Sequence, residues 1–205
     1  MLVKSKYDFD KLEQFLERIK ADVYPEPLAN EDFIESGFES IKDKIKSGQK
    51  VLDVGCGHGY AMDIFSKHHI DIKGITLSEE DKKIALSRGH NVQIMDMSFL
   101  EFEDECFDGI WARQCLEHSI FPYYTLSEFY RVLKFGGWIY VEVPASDTGC
   151  HHECNGNHYS VLPLSMWGNL LHRIGFNELK PYEIKFKLIP PYNGNDLYYR
   201  IIGQK

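Results

Sequence analysis

Apolar positions repeat along this chain with two different periods. Phe9, Leu12, Phe15, Leu16 and Ile19 fall on one side of a 3.6-residue repeat, which predicts an amphipathic helix from Phe9 to Ile19. The segment YPEPLAN (24–30) then interrupts it with two prolines. Phe33, Ile34, Phe38, Ile41 and Ile45 predict a second helix over Asp32 to Ile45, ended by SGQK. From Lys50 onward the pattern changes. Short β-favouring runs alternate with helical stretches. VLDV is the first strand and Tyr60 to His68 the helix after it. IKGITL is the second strand. Ser78, followed by Glu79, Glu80 and Asp81, reads as an N-cap with acids in the first turn, so a helix runs from there to about Arg88 and stops at Gly89. VQIMD and FDGIWAR are strands three and four. Leu126 to Leu133 is helical and ends at FGG. WIYVEVP is an unbroken β-favouring run, typical of a strand buried on both faces. After a long loop, Pro163 to Arg173 is helical and closes at Gly175. LKPYEIKFKL and DLYYRIIGQK are the last two strands, joined by the turn PPYNGN.

Strands that alternate with helices require right-handed crossovers, and so a parallel, doubly wound sheet. The last two strands have no helix between them and must pair antiparallel. The expectation is an α/β protein with a doubly wound, seven-stranded, Rossmann-like sheet: six parallel strands plus an antiparallel C-terminal strand. Residues 1–48 form an N-terminal helical segment and residues 49–205 the α/β domain, one compact unit overall. A nicotinamide-binding Rossmann sheet would be all parallel, which counts against an oxidoreductase.

Composition narrows the function classes. With 205 residues the chain suits one domain with a full core. Net charge is −8, and no Lys/Arg block interrupts the sequence, so an extended nucleic-acid footprint is disfavoured. The five cysteines are odd in number and include no CxxC pair, which points to a reducing compartment. The first ten residues lack an apolar signal core and no run reaches the length of a membrane span. A cytoplasmic location is the expectation.

The most informative segment is KVLDVGCGHGY (50–60). A strand feeds three glycines, Gly55, Gly57 and Gly59, and then a helix. Glycines there let the backbone bend sharply and approach a ligand, at the edge where α/β sheets bind nucleotide-like molecules. The spacing is GxGxG, not the GxGxxG of a dinucleotide loop. Asp53, two residues before the first glycine, suits a cationic ligand and would repel a diphosphate. The segment resembles motif I of the class I S-adenosylmethionine (SAM)-dependent methyltransferases, and the resemblance extends over about Lys50 to Phe176. FDGIWARQCLEH (107–118) and RVLKFGG (131–137) are similar to the small-molecule group of that superfamily marked by "LEH", with Phe135 in place of the group's proline. GITLSEED (74–81) looks like the cyclopropane-fatty-acid-synthase branch, which has threonine where most relatives carry an acid.

The resemblance implies site roles. Asp53, Gly55, Cys56, Gly57 and Gly59 would hold the methionine end of SAM. Thr76, Leu77 and Asp81 would face the ribose. Asp96 would accept from the adenine amino group, and Met97 would pack on the ring. Arg113 and Gln114 would line the methionine half, with Glu117 and His118 opening the next helix beside the methyl group. Asp108 is expected to be structural. Segments before motif I would act as a lid, with Tyr24, Phe33 and Phe38 as candidates.

Methyl transfer is an in-line displacement, so positioning and water exclusion are the main tasks. A base is needed only when the acceptor is protonated, and His118 is the first candidate for it. The loop CHHECNGNHYS (150–160) places His151, His152, Glu153, Cys154 and His158 close together. It reads as a substrate-binding or base-supplying loop through His152, His158 and Tyr159, as a loop held by its own hydrogen bonds, or as a metal site. Its spacing matches no zinc pattern, so no metal is expected. The aromatic residues Tyr123, Tyr124, Tyr159, Trp167 and Tyr192 would suit a flat or sugar-like acceptor, or fill the core. These features imply a SAM-dependent methyltransferase acting on a small-molecule acceptor such as a glycan or lipid precursor. The alternative is a non-catalytic SAM-binding regulatory or scaffold module.

Overall fold

The computed structural model describes residues 9–20, 31–188 and 194–205; Tyr24, Tyr192 and most of the PPYNGN turn lie outside them. One sheet is built from β1 (Lys50–Val54), β2 (Asp71–Thr76), β3 (Asn91–Ile94), β4 (Phe107–Arg113), β5 (Leu133–Pro144), β6 (Asn177–Lys187) and β7 (Asn195–Gln204). The helices are α1 (Phe9–Lys20), α2 (Glu31–Glu39), α3 (Tyr60–Lys67), α4 (Glu79–Ser87), α5 (Pro122–Val132) and α6 (Leu164–Ile174).

The strand order is β3-β2-β1-β4-β5-β7-β6. β1 pairs in parallel with β2 and β4, as β2 does with β3 and β4 with β5. β7 inserts antiparallel between β5 and β6. Six strands therefore share one direction and β7 alone opposes it, as the element pattern predicts. The chain reverses its winding at β1, because β2 and β3 go to one side and β4 onward to the other. Such a switch point opens a crevice at the carboxyl ends of the strands.

Both faces of the sheet are covered. Leu52, Val54, Ile110 and Val141 pack beneath α5 and α6, with Phe129, Trp167 and Leu171 fully buried among them. Val51, Trp111, Trp138 and Tyr140 face α2 and α3. There Phe65 stacks on Trp138 at 6.2 Å and meets Trp111 edge-on at 5.4 Å, while Trp111 stacks on Tyr140 at 3.9 Å. Burying Phe65 completely is worth about 1.5–3 kcal/mol.

Three elements depart from the apolar pattern: β5 already starts at Leu133, so that FGG (135–137) lies inside the strand, and α2 and α5 differ for local reasons. α2 ends at Glu39, short of Ile45, because Ser40 turns back on Gly37: its Oγ donates to the Gly37 carbonyl at 2.6 Å and its N–H at 3.1 Å. A single 3-10 turn, Lys42–Lys44, follows. α5 starts earlier than predicted, at Pro122, where the ring's fixed φ suits a first helical position. Leu116–His118 is consequently a separate 3-10 turn and does not open that helix. Asp108 is structural, as expected. It accepts from Lys50 N–H at 2.8 Å and from Lys134 Nζ at 2.7 Å, at the end of β4 away from the crevice.

Candidate active site

The crevice begins with the bend after β1. Gly55, Gly57 and Gly59 all have left-handed backbone, with φ of 68°, 49° and 83°. Their surroundings differ. A Cβ on Gly55 would sit 2.8 Å from Cys115 Cβ, and one on Gly59 2.5 Å from the His90 ring. A Cβ on Gly57 would meet nothing within 4 Å, because that residue borders an open cavity. The cavity is about 550 Å³ and runs along the carboxyl edge of β1, β2, β3 and β4.

One half of it is walled by Gly55, Gly57, Thr76, Leu77, Asp81, Asp96, Met97 and Gln114. Thr76 Oγ accepts from Ser78 N–H at 3.1 Å, and Ser78 Oγ caps α4 by accepting from Asp81 N–H at 3.1 Å. The Asp81 carboxylate lies 3.2 Å from His58 Nε2, so the glycine bend and α4 are tied across the cavity rim. Asp96 Oδ1 accepts from Ser98 N–H at 2.8 Å, which fixes the turn after β3. Gln114 has φ 51° at the end of β4, a strained value for a residue that borders the cavity.

The other half is walled by Glu117, His118, Cys150, His152, Asn155, Asn157, His158, Tyr159 and Tyr198. The loop after β5 is pinned here from two sides. Ser160 N–H donates to the Glu117 carbonyl at 2.9 Å and Ser160 Oγ to the Ser119 carbonyl at 2.6 Å. At its start, Ala145 N–H bonds Leu197 O at 2.9 Å and Gly149 N–H bonds Asn195 O at 3.0 Å. His118 Nδ1 lies 2.8 Å from the Asn157 carbonyl. A carbonyl only accepts, so Nδ1 carries the proton and Nε2 is the basic nitrogen. Burial holds His118 below the usual imidazole range. His158 is pushed down to about 4 by burial, reinforced by the His118 and His152 charges. Its Nδ1 donates to the His152 carbonyl at 3.0 Å and its Nε2 accepts from Asn155 at 3.3 Å, so both nitrogens are committed. Glu117 is buried, and burial raises its carboxyl to about 8. Its Oε2 has no partner among the described residues.

Four of the expected cofactor residues stand outside the cavity wall. Cys56 turns into the core against Gly74, and Gly59 packs on His90. Asp53 is buried beside the bend; burial raises its carboxyl to about 7, opposed by the Arg113 charge, and its Oδ2 lacks a partner among the described residues. Arg113 Nε donates to Glu142 Oε1 at 2.9 Å. Glu142 also accepts from Tyr140 at 2.5 Å and from Arg200 at 3.0 Å, and Arg200 reaches the Ser36 carbonyl of α2 at 3.2 Å. This buried network carries two guanidinium groups on one carboxylate. Arg113 borders a second cavity, of about 140 Å³, together with Phe33 and Gln114. Of the lid candidates, Phe38 is a core residue and Phe33 packs on Phe186 at 4.9 Å. Leu16 of α1 does reach the main cavity. Trp167 is core, whereas Tyr123 and Tyr124 are exposed. Sequence reasoning passed over Asp196, which lies 3.1 Å from His152 Nε2. It also passed over Tyr198, on the cavity wall. Only their position at the start of the last strand could have drawn attention to them.

A glycine bend at a sheet switch point, opening on a cavity walled by Asp81, Asp96 and Glu117, is the arrangement in which α/β proteins bind nucleoside-type ligands. Residues 52–141 match the family described as "Methyltransferase domain". The chain is 30% identical over 181 residues to O-methyltransferase rstn1 of Aspergillus nomiae, covering 76% of this chain and 79% of that one. It is 28% identical over 177 residues to phosphoethanolamine N-methyltransferase 3 of Arabidopsis thaliana, but spans only 35% of that protein's length. A SAM-dependent methyltransferase from Archaeoglobus fulgidus has the same fold, with a TM-score of 0.73 over 95% of this chain and 99% of that one at 17% identity. This chain belongs to the class I SAM-dependent methyltransferases, whose cofactor is S-adenosylmethionine. Among the described residues, no helix is long and apolar enough to cross a membrane.

Proposed function

We propose that this chain transfers a methyl group from SAM to a small-molecule acceptor seated against the loop after β5. One observation carries the reading: a single cavity has two walls of different chemistry. One wall is glycine, aliphatic and carboxylate; the other is imidazole, amide and phenol. A volume of about 550 Å³ lies in the range that takes drug-sized ligands.

The residues present suit the cofactor. Open space at Gly57 leaves room for a ligand to lie against the backbone. The unpartnered Asp53 oxygen offers negative charge to an ammonium, directly or through water, while Cys56 and Gly59 shape the bend from behind. Thr76, Leu77 and Asp81 would hold the ribose, Asp96 and Met97 the adenine, and Gln114 the methionine half. Arg113 would act indirectly, through its charge on Asp53. When bound, SAM supplies an electrophilic methyl group on a sulfonium.

The chain's own work is then proton placement and exclusion of water. His118 is neutral at physiological pH, with Nε2 able to take a proton from a hydroxyl acceptor. Glu117 holds its proton at neutral pH and so can donate a hydrogen bond to the acceptor. His158 is spent on its loop, so with Asn155 it orients the wall and does not act as a base. Tyr159 contacts the acceptor in this reading, with His152 beside it on the same wall. Incubation with methyl-labelled SAM and a panel of hydroxylated, amino and phosphorylated small molecules tests it. Label should pass to at least one acceptor class, and the transfer should vanish in Gly57→Val. SAM binding with no transfer to any acceptor would favour a non-catalytic module.

A further inference from the structure

We infer that Cys150, His152 and Asp196 form a zinc-type metal site in the wall of the acceptor half of the cavity. Cys150 Sγ, His152 Nε2 and an Asp196 carboxylate oxygen all lie within 4.8 Å of one another. His152 Nε2 is 3.1 Å from each Asp196 oxygen. Tetrahedral zinc with bonds near 2.0–2.3 Å spaces its ligands about 3.3–3.7 Å apart, so closing this triad on an ion takes only small side-chain movement.

The scaffold around the triad is firm. The two backbone bonds from Ala145 and Gly149 to β7 hold the loop over the start of that strand. Asp196 is 2% exposed and accepts from Leu197 N–H at 2.9 Å, and also from the Thr148 hydroxyl. Such bonds orient a ligating carboxylate. Charge balance favours a divalent ion, since a thiolate and a carboxylate together neutralise it. Cys150 and His152 border the cavity, whereas Asp196 stands behind them. A three-ligand site so placed leaves its fourth position toward the cavity, the arrangement of catalytic zinc centres.

The competing group, Glu117, His118 and His158, is the poorer donor set. Both nitrogens of His158 are already bonded within the loop, and His118 Nδ1 is held by the Asn157 carbonyl. A metal here would run against the sequence expectation of none. Spacing within the loop could not reveal it, because the third ligand lies 44 residues beyond His152, on another strand. If the methyl-transfer reading holds, the open position would take an acceptor hydroxyl or thiol and lower its pKa.

The test is metal binding by the full chain, read without any activity. Zinc titration followed by elemental analysis should give one ion per chain. The cobalt(II) form should show a thiolate-to-cobalt charge-transfer band in the near ultraviolet. Cys150→Ser should abolish that band and weaken zinc binding roughly tenfold or more, with an unchanged circular dichroism spectrum. His152→Gln should weaken binding similarly, as a second variant. Substoichiometric zinc, or affinity unchanged in Cys150→Ser, would overturn the site. So would binding lost only in His158→Ala, which would place the ion in the other group. A methyltransferase without this metal, or a metal site in a protein that transfers no methyl, remains distinguishable because the two readouts are separate.

Discussion

Replacing Asp53 by asparagine should make the ligand-free protein more stable above neutral pH while weakening its hold on SAM. Asp53 is buried, its Oδ2 lacks a partner among the described residues, and burial raises its carboxyl from 3.8 to about 7. Ionising it in the fold therefore costs about 4 kcal/mol, at 1.36 kcal/mol for each pH unit of that shift. The sign follows from linkage. A carboxyl whose folded pKa lies above its unfolded value stabilises the fold fully below pH 3.8. It loses that stabilisation as pH rises toward 7. Between pH 5 and pH 8.5 the wild type should lose about 3 kcal/mol that Asp53→Asn does not lose. For a chain of this length that is roughly 5–10 °C in Tm. The assay is thermal unfolding of both proteins across that pH range, with the difference between them isolating residue 53 from every other titrating group. A Tm difference that stays constant with pH would be the opposite outcome. It would mean that the carboxyl is ionised and compensated in the fold, with Arg113 as its partner. Adding SAM should reverse the ranking, because a bound ammonium would stabilise the charged wild-type carboxylate and not the amide.

Other residues give independent checks. Asp96→Ala should weaken SAM binding by roughly 1–3 kcal/mol, the cost of a buried donor left unpaired, as read by calorimetric titration. Gly57→Val should abolish binding while costing the fold only about 1–2 kcal/mol of left-handed backbone strain, since its side chain enters open cavity and not core. Arg200→Ala should cost about 3–5 kcal/mol in denaturant unfolding, because it removes one of two cations from buried Glu142 and unties α2. The rate of methyl transfer should fall above about pH 8, where Glu117 loses its proton, and that alkaline limb should be absent in Glu117→Gln.

The sheet was readable because its signals are local. Ser78 announces α4, Gly57 and its neighbours announce the bend, and the unbroken run in β5 announces a strand covered on both faces. The last two strands could be paired by their short connection, but the place of β7 between β5 and β6 is a tertiary outcome that no local pattern encodes. The end of α2 was missed because one hydroxyl, that of Ser40, overrides an apolar repeat which continues to Ile45. At the site, residues near the strand ends were legible: Thr76, Asp81, Asp96 and Gln114 all reach the cavity. Arg113 stands one step from the main cavity, because its neighbour Gln114 takes left-handed backbone and only the latter borders it. The partnership of His152 with Asp196 joins a loop to a distant strand, and helical or strand periodicity carries no trace of it.

The bend after β1 should cradle the nucleoside sulfonium, with Asp96 at the adenine end and Asp53 buried behind the ammonium end. A crystal structure of the chain soaked with S-adenosylhomocysteine tests it most directly. Density should fill the main cavity, with the amino-acid end against Gly55 and Gly57 and the adenine between Asp96 and Met97. Density elsewhere, or a cavity still empty under saturating ligand, would contradict it.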